Sequence, residues 1–147
     1  MPHRLIKTID GPRGDFLLAG GLVFTAIGYS YVSTTTPGRE AGFAWLPTHL
    51  DSDELGWAWV MVGLFTVTVA LISARFKKLE ALAFMALVVP PTLWALIFIG
   101  AWILDSHPNG WVSAISYSLM AWWVLIASDW PNPPCPPERK DEGGQRG

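Results

Sequence analysis

The sequence has few charged residues and only one cysteine. Asp, Glu, Lys and Arg make up 15% of the 147 residues, whereas a water-soluble domain usually carries about 25%. Cys135 has no second cysteine with which to form an intramolecular disulfide. The net charge of −2 provides no basic surface for nucleic acid. This composition therefore argues against an ordinary soluble domain and against a nucleic-acid partner.

Motifs that carry chemistry are also missing. The chain has no glycine-rich phosphate loop, no nucleophile elbow and no arrangement of His and Cys suited to catalysis. Its three histidines, His3, His49 and His107, are far apart in sequence, and a metal site needs three or four converging ligands. We therefore expect a protein that is not an enzyme, with no catalytic residues, no cofactor and no bound metal.

Long apolar runs are the main feature that is present. Crossing a hydrocarbon core of about 30 Å takes roughly 17 to 25 helical residues, and only a helix satisfies its own backbone there. Four runs of suitable length contain no Asp, Glu, Lys, Arg or His. They are Phe16–Val32, Leu55–Ala74, Ala81–Leu104 and Trp111–Ser128. The sequence predicts an all-α polytopic membrane protein, a bundle of four transmembrane helices over residues 16–130.

The first run also has an alternative interpretation as a secretory signal, because it is short and follows a basic stretch. Tyr29 and Tyr31 lie where a signal peptidase requires small side chains. An uncleaved first helix is therefore the favoured interpretation.

The basic residues predict the orientation, since cytoplasmic segments hold the excess of Lys and Arg. With alternate connections on opposite sides, nine of the ten basic residues share one side and only Arg39 lies on the other. The nine are Arg4, Lys7, Arg13, Arg75, Lys77, Lys78, Arg139, Lys140 and Arg146. We expect both termini in the cytoplasm of a bacterial (host) cell, and a chain integral to its cytoplasmic membrane.

Tryptophans near the ends of the runs fit this placement, because an indole ring prefers the level of the lipid headgroups. Six of them are predicted to be interface anchors: Trp57, Trp59, Trp102, Trp111, Trp122 and Trp123.

Small residues recur on one face of each of the first two predicted helices, and such faces let helix backbones approach closely in lipid. The first face contains Gly21, Thr25 and Gly28, and the second contains Gly56, Gly63 and Ala70. The pattern predicts helix contacts, either within one chain or between copies in a homo-oligomer.

Two adjacent prolines, Pro90 and Pro91, fall near the middle of the third run. They delete two backbone donors and so predict a kink. The kink is either a structural bend or, as in some transporters, part of a substrate path.

The remaining segments are short. Residues 1–15 form a cytoplasmic N-terminal segment, and residues 131–147 form a proline-rich and then disordered cytoplasmic tail. The first loop, residues 34–50, includes the apolar stretch Phe43–Leu46. We expect that stretch to fold back on the bundle, the alternatives being shallow insertion into the membrane interface or contact with a partner.

Tryptophan and proline landmarks between Leu55 and Pro134 resemble those of small four-span, holin-like membrane proteins of actinobacterial phages. The landmarks are Gly56-Trp57, Pro90-Pro91-Thr92-Leu93-Trp94, Gly110-Trp111 and Asp129-Trp130-Pro131. The resemblance implies a phage membrane protein that oligomerises in the lipid bilayer and permeabilises or depolarises it during host lysis. Its implied partners are further copies of the chain and a second lysis membrane protein. The alternative is a membrane scaffold or accessory protein that binds a partner through its outer loop or tail.

Overall fold

A computed structural model describes residues 11–46, 52–72 and 77–131, and within these ranges every regular secondary-structure element is a helix. The five helices are α1 (Gly11–Ser33), α2 (Pro37–Phe43), α3 (Ser52–Ile72), α4 (Lys77–Ile103) and α5 (Gly110–Ser128). Most of the predicted N-terminal segment and nearly all of the predicted tail lie outside the described residues.

Four of the helices, α1, α3, α4 and α5, are long and apolar enough to cross a membrane. The shortest, α5, has 19 residues, and at 1.5 Å per residue it rises about 28 Å, close to the thickness of a hydrocarbon core. The predicted all-α fold with four long apolar helices is therefore confirmed.

The helices extend beyond several of the predicted apolar runs. Helix α1 begins at Gly11, so residues 11–15 of the predicted N-terminal segment are helical. Helix α3 begins three residues before Leu55, and α4 begins four residues before Ala81. The reason is that charged residues such as Glu54 and Lys78 favour helix as well as apolar ones do, although they were excluded from the runs.

The first loop contains a helix that the sequence did not predict. Helix α2 has seven residues and starts at Pro37, whose fixed φ suits a first helical turn. Phe43 is buried, and Trp45 Nε1 donates a hydrogen bond of 3.0 Å to the carbonyl of Ile97 in α4. A Cβ on Gly100 would lie 2.5 Å from the Trp45 ring. The apolar stretch thus folds back on the bundle, in agreement with the prediction.

Helices α1 and α3 form the most extensive pair in the bundle, and their glycines allow the backbones to touch. A Cβ on Gly21 would lie 2.8 Å from the carbonyl oxygen of Gly63, and a Cβ on Gly28 would lie 2.7 Å from that of Gly56. The Thr25 hydroxyl donates to the carbonyl of Gly21 at 2.8 Å. The two predicted small-residue faces therefore pack against each other within a single chain.

Helices α4 and α5 form a hairpin through a tight turn. Asp105 has a φ of 60°, a left-handed conformation that Asp tolerates better than most residues. The backbone N–H groups of Ser106 and His107 donate to the carbonyl of Ala101 at 3.0 and 3.1 Å, which ends α4. A Cβ on Gly110 would lie 2.5 Å from the carbonyl oxygen of Phe98. The glycine therefore lets α5 start in direct contact with α4.

The two prolines lie inside one uninterrupted α-helix. Pro90 and Pro91 are both buried, and α4 continues from Lys77 to Ile103 through them. The Thr92 hydroxyl donates to the carbonyl of Val88 at 2.8 Å. The predicted kink stays a prediction.

The backbone contact between α1 and α3 leads to a stability prediction. Gly63→Ala should lower the free energy of unfolding by about 1–3 kcal/mol, the usual cost of overpacking, because the new Cβ would lie 2.5 Å from the Thr25 amide nitrogen. Gly20→Ala is the matched control, since its Cβ would meet the Leu87 side chain at 3.4 Å. Unfolding of both variants is measured in detergent micelles. Equal stability would contradict the close approach.

Candidate functional site

Aromatic side chains fill the bundle interior at the end that carries α2, which we call the loop end. The opposite end, where α1 and α4 begin and α5 finishes, is the tail end. The rings at the loop end form a connected set that we call the aromatic core: Phe24, Tyr31, Phe43, Trp59, Trp94, Phe98 and Tyr117.

Trp94 lies at the centre of the aromatic core. Its ring is T-shaped to those of Tyr31, Phe43 and Trp59, with centroid distances of 5.5, 5.7 and 5.4 Å. Each such pair contributes about 0.5–1.5 kcal/mol beyond its burial. The four rings come from α1, α2, α4 and α3, so one tryptophan links four elements.

Both buried indoles lack a conventional hydrogen-bond acceptor. Trp59 and Trp94 are fully buried, and neither Nε1 has a hydrogen-bond partner among the described residues. Aromatic rings surround them, and a ring face accepts an N–H group only weakly. Ring packing therefore holds the interior of the loop end together, and two indole N–H groups are enclosed among apolar side chains.

One hydroxyl pair crosses the interior between α1 and α5. The hydroxyl oxygens of Tyr31 and Tyr117 are 2.7 Å apart, and the Tyr117 ring stacks on that of Phe98. The Ser116 hydroxyl, by contrast, donates to the carbonyl of Val112 in its own helix. Tyr117 rather than Ser116 therefore joins α5 to α1.

Arg39 covers the aromatic core at the loop end. Its guanidinium lies 4.1 Å from the ring centroid of Tyr31 and donates to the carbonyls of Ser30 and Thr34 at 2.6 and 2.8 Å. A cation over a ring face is stabilising. These contacts give Arg39 a structural role. In the sequence, Arg39 differed from the other nine basic residues only in its predicted place on the opposite side of the membrane.

A buried ion pair lies at the tail end, and no sequence motif indicated it. Arg13 Nε is 2.6 Å from Glu80 Oε1, without the alignment of a hydrogen bond. Glu80 is 4% exposed, and the Arg13 guanidinium lies 5.1 Å from the ring centroid of Phe84. Both charges flank predicted spans, but only the three-dimensional packing of α1 on α4 brings them together.

The predicted interface anchors divide into two groups. Trp59 is enclosed in the aromatic core, because its side of α3 faces α1 and α4, so it is unavailable as an anchor. The other five face outward with 47–66% of their surface exposed: Trp57, Trp102, Trp111, Trp122 and Trp123. An outward ring is what an anchor requires, so the prediction remains open for these five.

Within residues 11–46, 52–72 and 77–131, no group of three or more His, Cys, Asp or Glu side chains is placed to hold a metal ion. The main features of the described residues are the aromatic core and the ion pair of Arg13 with Glu80. Comparisons with protein-family models, with curated proteins and with solved structures return no match to this chain.

The hydroxyl pair yields a prediction that a double-mutant cycle can test. Tyr117→Phe and Tyr31→Phe should each cost about 1 kcal/mol, because each leaves one hydroxyl without its partner. The double variant should cost less than the sum of the two single variants. Tyr29→Phe is the control, since Tyr29 is 68% exposed. Additive losses in detergent unfolding would show that the two hydroxyls are not coupled.

Proposed function

We propose that the chain is an integral protein of a bacterial cytoplasmic membrane. The support is its outer surface, which is apolar along all four long helices. Leu22, Met61, Met85 and Trp123, one on each helix, are 57–68% exposed. An apolar surface this continuous favours a lipid environment, because its exposure to water would be unfavourable.

In the proposed orientation the tail end faces the cytoplasm, with both termini on that side. Arg13, Lys77 and Lys78 lie at the tail end, and cytoplasmic segments are enriched in such residues. At the loop end, Arg39 is held against α1 by hydrogen bonds and a ring contact.

The single cysteine makes this orientation testable. In intact host cells, a membrane-impermeant maleimide should leave Cys135 unlabelled until the membrane is permeabilised, because the tail is cytoplasmic. In a Cys135→Ser background, Thr35→Cys should be labelled in intact cells, since Thr35 is exposed at the loop end. The cysteine-free variant controls for background. The reverse labelling pattern would show the opposite orientation.

We propose that the function is holin-like: copies accumulate in the membrane, associate, and permeabilise or depolarise it during host lysis. The resemblance of the landmarks to phage holin-like proteins supports this function. The aromatic core fills the loop-end interior of a single copy, so the hole would form between copies rather than through one bundle.

Outward hydroxyls offer polar groups that could line such a hole. Thr68, Thr92, Ser116 and Ser118 are exposed on α3, α4 and α5. The first three donate to carbonyls of their own helices at 2.8, 2.8 and 2.9 Å. Hydroxyls satisfied in this way tolerate lipid, and they retain an acceptor for water once copies assemble.

A non-lytic scaffold or accessory membrane protein is the second candidate, and the α1–α3 contact favours it. The glycine faces that would join copies are occupied within the chain, with Gly21 on Gly63 and Gly28 on Gly56. A bundle closed in this way can serve as a passive anchor that binds a partner through α2 or the tail.

Induced expression in a bacterial host separates the two functions. A holin-like protein should abruptly depolarise the membrane, as reported by a voltage-sensitive dye, and should lyse the culture only when an active endolysin is co-expressed. Thr92→Val should delay depolarisation if outward hydroxyls line the hole. Thr66→Val is the matched control, because Thr66 is fully buried and its hydroxyl donates within α3.

An inactive endolysin and an unrelated four-span protein at equal abundance are the remaining controls. Continued growth with an intact membrane potential, despite verified insertion, would exclude autonomous hole formation and favour the scaffold.

A further inference from the structure

An apolar groove opens on the outer surface at the tail end, between α4 and α5. Its volume is about 430 Å³, within the range of about 300–1,000 Å³ typical of ligand sites. Its walls are almost wholly apolar, and a guanidinium lies at one margin. The lining residues are Arg13, Ala81, Phe84, Met85, Val88, Leu125 and Ser128.

Arg13 lies in the groove wall and is not fully engaged by the protein. Its side chain is 20% exposed. Among the described residues it contacts Glu80 through Nε and lies over the Phe84 ring. A guanidinium has five N–H donors in a planar fork that matches phosphate. The ion pair with Glu80 is made through Nε and positions the arginine side chain in the groove wall.

Further cations flank the same end of the groove. Lys77 and Lys78 begin α4 and are exposed. Ala81 lies four residues after Lys77 and three after Lys78, so helical spacing places both lysines above the groove. With Arg13 they give three positive charges at this end, where the described carboxylates are also three, those of Asp15, Glu80 and Asp129.

From this arrangement we propose that the groove binds an anionic phospholipid, with its phosphate at Arg13 and one acyl chain between α4 and α5. The apolar walls fit the chain, and the cations complement the headgroup. Arg13 lies where the apolar surface meets the charged end of the bundle, which is the level that a phosphate occupies in a membrane. The inference rests on the proposed membrane location, but it does not depend on hole formation.

Ser128 completes the upper wall of the groove on α5. Its hydroxyl donates to the carbonyl of Leu125 at 2.7 Å, so its oxygen keeps lone pairs that can accept a further hydrogen bond. A neutral hydroxyl of this kind suits a glycerol headgroup. Selectivity for anionic lipid would therefore depend on Arg13 and the two lysines.

The test uses the full chain purified in a zwitterionic detergent. Phosphatidylglycerol and phosphatidylcholine with identical acyl chains are added, and bound lipid is counted by native mass spectrometry. Phosphatidylglycerol should be retained about tenfold more strongly, a difference readily resolved in binding constants. Inorganic phosphate is a separate arm, and displacement of the lipid by phosphate alone would overturn the lipid assignment in favour of a free-anion site.

Two variants locate the site. Ala81→Trp fills the groove without changing a charge and should abolish the preference. Ala95→Trp, in the next depression along the α4–α5 seam, which shares Leu125 with the groove, should preserve it. The paired variant Arg13→Gln with Glu80→Gln removes the guanidinium without leaving a buried unpaired charge, and it should also abolish the preference.

Equal retention of both lipids by the wild-type chain, or a preference unaffected by Ala81→Trp, would overturn the proposal. These outcomes are independent of the depolarisation assay, so the lipid site and the holin-like function can fail separately. A chain that does not fractionate with membranes would instead reject the membrane location on which the lipid site rests.

Discussion

The contact between the backbones of α1 and α3 determines how the rest of the bundle is built. Gly21 and Gly28 meet Gly63 and Gly56 at distances where no Cβ fits. Because lipid is as apolar as the side chains, close packing rather than the hydrophobic effect holds membrane helices together. With glycine on the contact line the two backbones meet directly, and the rings of Tyr31 and Trp59 pack against Trp94 of α4.

The interior is consequently filled in two different ways. At the loop end, rings from four elements meet at Trp94, Tyr117 adds a fifth element through Trp59 and Phe98, and Arg39 lies over the Tyr31 ring. At the tail end, the ion pair of Arg13 and Glu80 joins α1 to α4. A buried ion pair adds little net stability, but it fixes position. The loop end therefore contributes packing energy, and the tail end places a guanidinium at the edge of the apolar surface.

The sequence predicted the four long helices because length and hydropathy are local properties of the chain. It also identified both glycine faces, since helical periodicity reveals them. It did not show that the faces pair within one chain, that Trp59 is enclosed, or that Arg13 meets Glu80. Each of these depends on which helices become neighbours, and one-dimensional periodicity does not determine that. Helix α2 was missed because seven residues with two glycines and a proline have little helical tendency of their own.

The same packing constrains the proposed holin-like function. Opening a single bundle would separate Trp59 from Trp94 and break the ring contacts of the aromatic core. It would also expose two indole N–H groups that have no hydrogen-bond partner in the described part of the chain. Association of intact bundles preserves those contacts and uses only outward surface, which already carries hydroxyls on three helices. Assembly of closed bundles therefore costs less than opening one. A lipid held at Arg13 would be part of the surface through which such bundles meet.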